Sequence, residues 1–303
     1  MYDIIGDLHG HYRLLTAMLK KLGYEKSGEG FRHEGRKVIF TGDYINRGNE
    51  IRQTVRLIRE MVESGNALAI LGNHEFNAII YFTLDKSGRY FKKYGSHLKL
   101  PLLRTIEEYS TVPDELHDTI KWFRQLPFYL DLNEIRVVHG GWDIKHINTV
   151  EQYMNGQPKI KKKFIKEYLS NDELNMAVNT LLKGIEMQLP KDLIIKDSKG
   201  ISHRNFRIKW WEPACGKTFR DASFGNRFIL PEYTIPKEVI PPIEPYEEHW
   251  PPLFFGHYCL DKQDLVIKNN LCCVDRCVTR SQNLSAYRWD GEKSLNPDKL
   301  VFL

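Results

Sequence analysis

Three short phrases near the start of the chain share one construction. Gly6-Asp7-Leu8-His9-Gly10, Gly42-Asp43-Tyr44-Ile45-Asn46-Arg47-Gly48 and Gly72-Asn73-His74-Glu75 each follow an apolar run, namely Ile4-Ile5, Val38-Ile39-Phe40 and Ala69-Ile70-Leu71. Short continuous apolar runs bounded by glycine read as buried strands. Three strands in series therefore bring carboxylate, imidazole and amide side chains to one sheet edge, as parallel sheets do at the carboxyl ends of their strands. Asp7, His9, Asp43 and Asn73 are oxygen and imidazole donors, a set that suits Mn, Fe or Zn better than a thiolate site would.

The second half of the chain repeats the construction. Arg136-Val137-Val138 ends in His139-Gly140-Gly141, and Leu253-Phe254-Phe255 ends in Gly256-His257-Tyr258. Five strand ends thus carry Asp7, His9, Asp43, Asn73, His139 and His257. These donors exceed what one tetrahedral ion takes, but they serve two ions if one carboxylate bridges, and Asp43 lies in the middle of the order. A pair of ions about 3.5–4 Å apart is the usual hydrolytic arrangement. Gly6, Gly42, Gly72 and Gly256 each precede a candidate ligand, where absence of a side chain allows close approach. His33, His97, His117, His146, His203 and His249 lack this context and read as surface or hydrogen-bonded histidines, and His11 has no evident ligand role.

These phrases, in this order, resemble the calcineurin-like metallophosphoesterases, most closely the phosphoprotein-phosphatase and diadenosine-tetraphosphatase branch. The resemblance covers roughly the first eighty residues, the surroundings of His139, and about Pro251 to Glu292. It implies an α/β fold, a four-layer αββα sandwich with an inserted helical cap region and a dinuclear centre at one end. It also implies that Asp7, His9 and Asp43 hold one ion and that Asp43, Asn73, His139 and His257 hold the other. His74 resembles the general acid and Arg47 a phosphate clamp, with Asp43 holding the nucleophile. Chemistry agrees: imidazole titrates near neutrality, and a guanidinium gives a phosphate two parallel charge-assisted bonds. Gly256-His257-Tyr258 offers no second histidine, which fits the phosphoprotein-phosphatase ligand set.

Two departures stand out. Asn46 occupies the position where protein phosphatases of this family carry an aspartate beside the catalytic histidine, and bacterial diadenosine tetraphosphatases also lack that aspartate. Asn cannot supply the charge, so His74 is expected to be a weaker acid. The stretch between His139 and His257, with Leu181-Leu182-Lys183-Gly184 and Ile208-Lys209-Trp210-Trp211, is unlike the protein phosphatases and resembles a bacterial subgroup of the family. Arg220 or Arg207 is the candidate there for a second phosphate contact.

Length and composition set bounds. The 303 residues are read as one domain, because ligands come from both halves, with insertions at about 84–127 and 147–250. Tyr12–Leu22, Ile51–Val62 and Asn73–Phe82 show helical apolar spacing, so the opening reads as a βαβαβ unit followed by a third helix. The segment from Leu84 to Leu126 is helical and aromatic, either plain packing or a cap beside the site. Lys159, Lys161, Lys162, Lys163 and Lys166 read as a solvated helix face or a polyanion-attracting surface. Seven prolines between Pro231 and Pro252 mark an extended loop, with Glu244, Glu247 and Glu248 near His257 in sequence. Leu271–Val274 and Leu284–Trp289 look like a closing hairpin or meander.

No apolar run reaches the length of about 18 residues that spans a membrane, and no cleavable leader is visible before the first strand. Five cysteines, with Cys272, Cys273 and Cys277 clustered, read as buried thiols in a reducing cytoplasm rather than a zinc site. A net charge of +5 welcomes an anionic substrate without demanding nucleic acid. The expectation is a cytoplasmic phosphoesterase with two divalent metal ions, Mn first and Fe, Zn, Ni or Co as alternatives. A phosphorylated small molecule, nucleotide or dinucleoside polyphosphate is the favoured substrate, with Trp210, Trp211, Tyr258 and the lysines available to hold a base. A serine/threonine phosphoprotein, a nucleic-acid end and a non-catalytic scaffold role are the alternatives.

Overall fold

The apolar runs form two sheets. Ten strands build them: β1 (Tyr2–Ile5), β2 (Lys37–Phe40), β3 (Ala67–Ala69), β4 (Tyr129–Asp131), β5 (Arg136–Val138), β6 (Leu253–Phe255), β7 (Val266–Lys268), β8 (Leu271–Cys273), β9 (Ser285–Trp289) and β10 (Leu300–Phe302). In the computed structural model, residues 1–84, 88, 95–190, 193–196, 202–225, 228, 230–242 and 244–303 are described. The first sheet has the order β10-β9-β1-β2-β3 and the second β7-β8-β6-β5-β4. β1, β2 and β3 run parallel, as do β5, β6 and β8.

Alternation explains why these strands read as continuous apolar runs. Ile4, Ile39, Val137, Phe254, Cys272 and Tyr287 share one buried cluster drawn from both sheets, the layer between them. Their neighbours Ile5, Val38, Phe40, Val138, Leu253, Phe255 and Cys273 join a second cluster with the helices. The inner strands β1, β2, β5, β6 and β8 are buried on both faces, so neither face needs polar residues, while the edge strands β4, β7 and β10 are only partly covered. The result is the expected sandwich of two sheets between helical layers.

The longer helices are α1 (Tyr12–Lys21), α2 (Ile51–Glu63), α3 (Asn73–Tyr81), α4 (Gly95–Glu108), α5 (Pro113–Phe123), α6 (Ile144–Met154), α7 (Lys162–Ser170) and α8 (Asp172–Lys183). The first three match the apolar spacing in the sequence. In α1, Leu15, Met18 and Leu19 are buried, and in α2, Ile51, Val55, Ile58 and Met61, at the i, i+3, i+4 recurrence of an amphipathic helix. The lysines of α7 are exposed while Phe164, Ile165 and Tyr168 are buried, so this helix carries a solvated basic face. Short antiparallel ladders pair Glu25–Ser27 with Gly30–Arg32 and Glu186–Gln188 with Asn205–Arg207.

The closing hairpin is a different one. Leu271–Cys273 and Ser285–Trp289 lie in different sheets and do not pair. β8 pairs with β6 and β7, whereas β9 runs antiparallel to β1 and β10. The chain crosses between the sheets here, and Ser285 Oγ donates to the Val274 carbonyl at 2.7 Å across the crossing.

Candidate active site

The carboxyl ends of β1, β2, β5, β6 and β8 meet at one edge of the sandwich, where the two sheets approach closely. A Cβ at Gly42 would lie 2.8 Å from His139 Nδ1 and 2.7 Å from the Gly72 backbone, while one at Gly256 would strike the Asp7 carboxylate. Only glycine allows this approach. Asp43 stands at the centre. Its carboxylate groups with His9 and His74 on one side, and with His139 and His257 on the other, ligating atoms within 4.8 Å of one another in each group.

The second coordination layer orients these rings. His139 Nδ1 lies 2.7 Å from the Thr41 carbonyl, which takes its N–H and turns Nε2 towards the other donors, 3.3 Å from Asp43 Oδ1 and 3.2 Å from Asn73 Oδ1. His9 Nδ1 lies 3.1 Å from the Ile45 carbonyl, turning its Nε2 towards Asp43 Oδ2 at 3.7 Å. A backbone carbonyl on one imidazole nitrogen is the usual device for presenting the other to a metal. The Nε2 of His257 is buried without a hydrogen-bond partner. A buried orphan acceptor grouped with an imidazole and a carboxylate fits a cation. Asp7 is placed differently from the rest. Both its oxygens accept the His257 backbone N–H at 3.2 Å, so it ties the first sheet to the second.

Backbone strain concentrates at this edge. His9, Asp43, Asn46, Arg47 and His257 have positive φ, five of the nine such non-glycine residues among those described. Each costs on the order of 1 kcal/mol, so something must hold them. Glu75 does so for the β2 loop. Its carboxylate accepts four backbone amides, Asp43 and Tyr44 at 2.8 Å, Gly72 at 3.1 Å and Ile45 at 3.2 Å. Glu75 lies in the first turn of α3, and Asp43 Oδ1 accepts the His74 amide of that turn at 3.0 Å. The positive end of α3 thus faces two carboxylates.

Electrostatics follow from crowding acids and imidazoles away from water. Burial, with the neighbouring Asp275 and Asp43, drives Asp7 well above the usual carboxylate range. Burial also works against Asp43, but His139 and His74 outweigh it and hold Asp43 well below that range. His139 shows the reverse balance: burial lowers it, and Asp43 and Asp7 carry it up to about 10. Burial and His74 bring His9 down to about 3. Burial, then Arg207 and His139, put His257 well below its normal value. Burial and Asp43 raise Glu75 to about 7, against four amide donors that favour its anion. A cluster of this kind binds divalent cations in exchange for protons.

Asn46 lies within a chain of side chains. Thr105 Oγ1, on α4, donates to Asn46 Oδ1 at 2.6 Å, and Asn46 Nδ2 lies 2.5 Å from His74 Nδ1. An amide donor on Nδ1 places the proton of neutral imidazole on Nε2, which faces Asp43 Oδ2 at 3.8 Å. Burial lowers the His74 pKa, Asp43 opposes, and Arg47, His139 and Lys183 reinforce the fall. Burial and the neighbouring cations thus keep His74 neutral, while Asn46 orients its ring.

Other expectations fare variously. Arg47 is exposed at the rim, with Nη1 3.4 Å from Thr279 Oγ1. Arg207 is half-buried, its guanidinium 5.4 Å from the centre of the Tyr258 ring. Arg220 is not brought to the site: it is exposed and paired with Glu232. Trp210, Trp211 and Tyr258 form no open wall for a base. They are buried, with Trp211 against Tyr258 at 4.9 Å and Trp210 against Phe255 at 5.3 Å, where they cover the outer face of β6. Glu244, Glu247 and Glu248 are exposed. Side-chain placement of His97 lies outside the described residues. The cysteines divide unexpectedly. Cys259 and Cys277 form a disulfide, while Cys272 and Cys273 are buried thiols and Cys215 is exposed. β6 and β8 pair Phe255 with Cys273, and each bonded cysteine lies four residues beyond that pair, so parallel register brings them together.

Sequence reasoning missed Glu75, Thr105 and Asp275. Asp275 had a legible signal, since it ends the apolar run Leu271–Val274 as the ligands end theirs. It is buried, and burial raises its carboxyl to about 6.

A two-sheet sandwich with carboxylates and imidazoles gathered at its strand ends defines a metallophosphoesterase architecture. The calcineurin-like phosphoesterase family profile matches residues 2–195, and the chain belongs to that family. It is 32% identical over 169 residues to the asymmetrical bis(5'-nucleosyl)-tetraphosphatase PrpE of Geobacillus sp. (strain WCH70), covering 54% of this chain and 63% of that one. It is 27% identical over 203 residues to the symmetrical bis(5'-nucleosyl)-tetraphosphatase of Wigglesworthia glossinidia brevipalpis, covering 64% and 66%. The matches thus span less than two thirds of these relatives' length. Among solved structures, a cold-active protein tyrosine phosphatase shares the fold with a TM-score of 0.52 at 14% identity, over 96% of this chain and 77% of the other. Among the described residues no helix is long and apolar enough to cross a membrane.

Proposed function

We propose that this chain is a metal-dependent hydrolase that cleaves a phosphoanhydride of a dinucleoside polyphosphate by direct attack of water. The observation that carries the reading is the sharing of Asp43 between two groups of potential ligands, one with His9 and His74 and one with His139 and His257. The likeness to bis(5'-nucleosyl)-tetraphosphatases supports the substrate class. Asp7, His9 and Asp43 would hold one ion, and Asp43, Asn73, His139 and His257 the other. Two divalent ions, when bound, supply a lowered water pKa and positive charge for the phosphate oxygens. The mixed oxygen and imidazole donor set favours Mn. Nucleotide substrates go with a cytoplasmic location.

The remaining steps belong to the chain. Asp43, the shared carboxylate, fixes the line of attack. Arg47, at the exposed rim, takes the oxygens of the reacting phosphate. His74 presents its Nε2 proton to the leaving oxygen, oriented by Asn46 and Thr105. A neutral imidazole is a weak acid, and an anhydride leaving group, already a stabilised phosphate anion, needs less protonation than an alkoxide. The Asn46 departure therefore agrees with an anhydride substrate better than with a serine or threonine phosphoester.

The test is metal content with Mn²⁺-stimulated turnover of p-nitrophenyl phosphate, diadenosine tetraphosphate and a phosphopeptide. Two ions per chain and a preference for diadenosine tetraphosphate are expected. A preference for the phosphopeptide would overturn the substrate class, and absence of both metal and turnover would overturn the whole reading.

A further inference from the structure

We propose that Cys259 and Cys277 form a reversible dithiol–disulfide switch on the candidate site, which is fastened in the oxidised state and loosened by reduction. This goes beyond the hydrolase reading above and rests on it only for the roles of His257 and Arg47.

The pair lies where the chain leaves two strands of the second sheet. The ladder between β6 and β8 ends with Phe255 opposite Cys273. Past it, His257-Tyr258-Cys259 follows β6 and Asp275-Arg276-Cys277 follows β8. The Leu260 amide donates to the Asp275 carbonyl at 3.1 Å, and the disulfide ties the same two loops, its Cα atoms 4.8 Å apart. Both loops hold strained backbone, with φ +64° at His257 and +61° at Cys277. Such angles cost a non-glycine residue on the order of 1 kcal/mol, so a crosslink beside them helps to keep them.

Each loop serves the site. His257, two positions before Cys259, stands with Asp43 and His139. Cys277 opens the short helical turn Val278–Ser281, whose Thr279 Oγ1 accepts from Arg47 Nη1 at 3.4 Å. The Asp275 carboxylate takes the Cys277 amide at 2.9 Å and sets the start of that turn. The crosslink therefore joins the loop of a candidate metal ligand to the support of the candidate phosphate clamp.

Hydrolysis by water moves no electrons, so the proposed reaction leaves this disulfide unused. A permanent crosslink is the other role open to it. In the cytoplasm proposed above, a disulfide is usually transient, catalytic or redox-sensing. Access agrees with sensing. Cys259 and Cys277 are half-buried, whereas Cys272 and Cys273 are wholly buried. The exchange balances with glutathione disulfide as the oxidant. One cysteine thiolate attacks a glutathione sulfur, the glutathione S–S bond breaks, and one glutathione leaves. The second cysteine attacks the protein sulfur of the mixed disulfide and expels the other glutathione. Two protein thiols lose two electrons and two protons, and one glutathione disulfide becomes two glutathiones. Reduction runs the same steps in reverse.

The experiment equilibrates the full chain in mixtures of reduced and oxidised glutathione, for wild type and for Cys259→Ser combined with Cys277→Ser. Free thiols are counted by mass after alkylation, Mn²⁺ binding is measured by calorimetry, and KM is measured for diadenosine tetraphosphate. Reduced wild type should bind one of its two Mn²⁺ ions about tenfold more weakly or more, the scale for losing a group that orients a ligand. Its KM should rise, oxidation should restore both, and the double variant should behave as the reduced protein in every mixture. A disulfide that survives fully reduced glutathione, or equal Mn²⁺ affinity and KM in the two states, overturns the switch and leaves a permanent crosslink. Should the double variant fail to fold, the two states of wild type decide by themselves. Failure of the hydrolase reading is separate: if neither state binds Mn²⁺, hydrogen exchange decides. Faster exchange of the Leu260 and Cys277 amides in the reduced protein then retains the switch, and unchanged exchange overturns it.

Discussion

The two halves of the site are built by different means. The half on the first sheet, with His9, Asp43, Asn73 and His74, comes from one continuous stretch of chain. Its loop is locked from within, since the Glu75 carboxylate collects amides from residues only three to thirty-two positions away. Among the described residues, the half on the second sheet, with His139 and His257, has no such internal collector. It is braced from outside, by the end of α8 against Gly140 and Gly141 and by Tyr258 beneath Gly184. A site shared between a self-supporting loop and a braced one can be damaged on either side independently.

Asp43 joins the halves, so Asp43→Asn should have the largest effect. Turnover is expected to fall by about 10³-fold, the scale for removing a central electrostatic group, with metal content dropping below two ions per chain by elemental analysis. Retention of both ions would show that the halves bind metal separately. Glu75→Gln tests the internal lock. It replaces one amide-accepting oxygen of a fully buried group with an NH2 donor that faces backbone N–H, and denaturant unfolding should show a loss of about 2–4 kcal/mol. A loss under 1 kcal/mol would mean that α3 holds the loop without it.

Gly184→Ala tests the brace. Gly184 has φ +79° and no room for a Cβ against Tyr258, so a loss of about 1–3 kcal/mol is expected from strain and overpacking. Metal affinity should weaken for one ion of the two, which titration calorimetry would resolve. Equal weakening of both would erase the distinction between the halves.

Asn46→Asp restores a carboxylate beside His74. A negative neighbour favours the imidazolium, so the His74 pKa rises, and the alkaline limb of the pH–rate profile should move up by about one unit. Metal binding has its own pH dependence. His139 titrates up at about 10 in the metal-free protein, so an ion must displace its proton. Affinity for Mn²⁺ should therefore rise by about tenfold per pH unit between pH 6 and 9 for each proton released. Proton release measured in buffers of different ionisation enthalpy checks the count. Arg220→Ala, which removes only an exposed ion pair with Glu232, should change stability by no more than about 0.5 kcal/mol and leave turnover alone.

Much of this was legible in the chain. The strand runs, the first three helices and the ligand order all depend on local patterns, since two-sided burial makes a strand wholly apolar and a glycine must precede a crowded ligand. Trp210 and Trp211 were misread because an aromatic pair looks alike whether it lines a pocket or covers a sheet, and only the return of residues 205–224 over β6 decides between them. The terminal strands were misread because pairing partners lie in different sheets. Cys259 and Cys277 pair through the register of β6 on β8, which no spacing rule reveals.

By itself the sequence determined which side chains stand at the ends of which strands, because a strand's period and the glycine after it act over a few residues. The tertiary structure alone decided that Thr105 orients Asn46 beside His74 and that Glu75 holds the Asp43 loop. Each of those depends on where separate segments are packed against one another, and packing is a property of the whole fold.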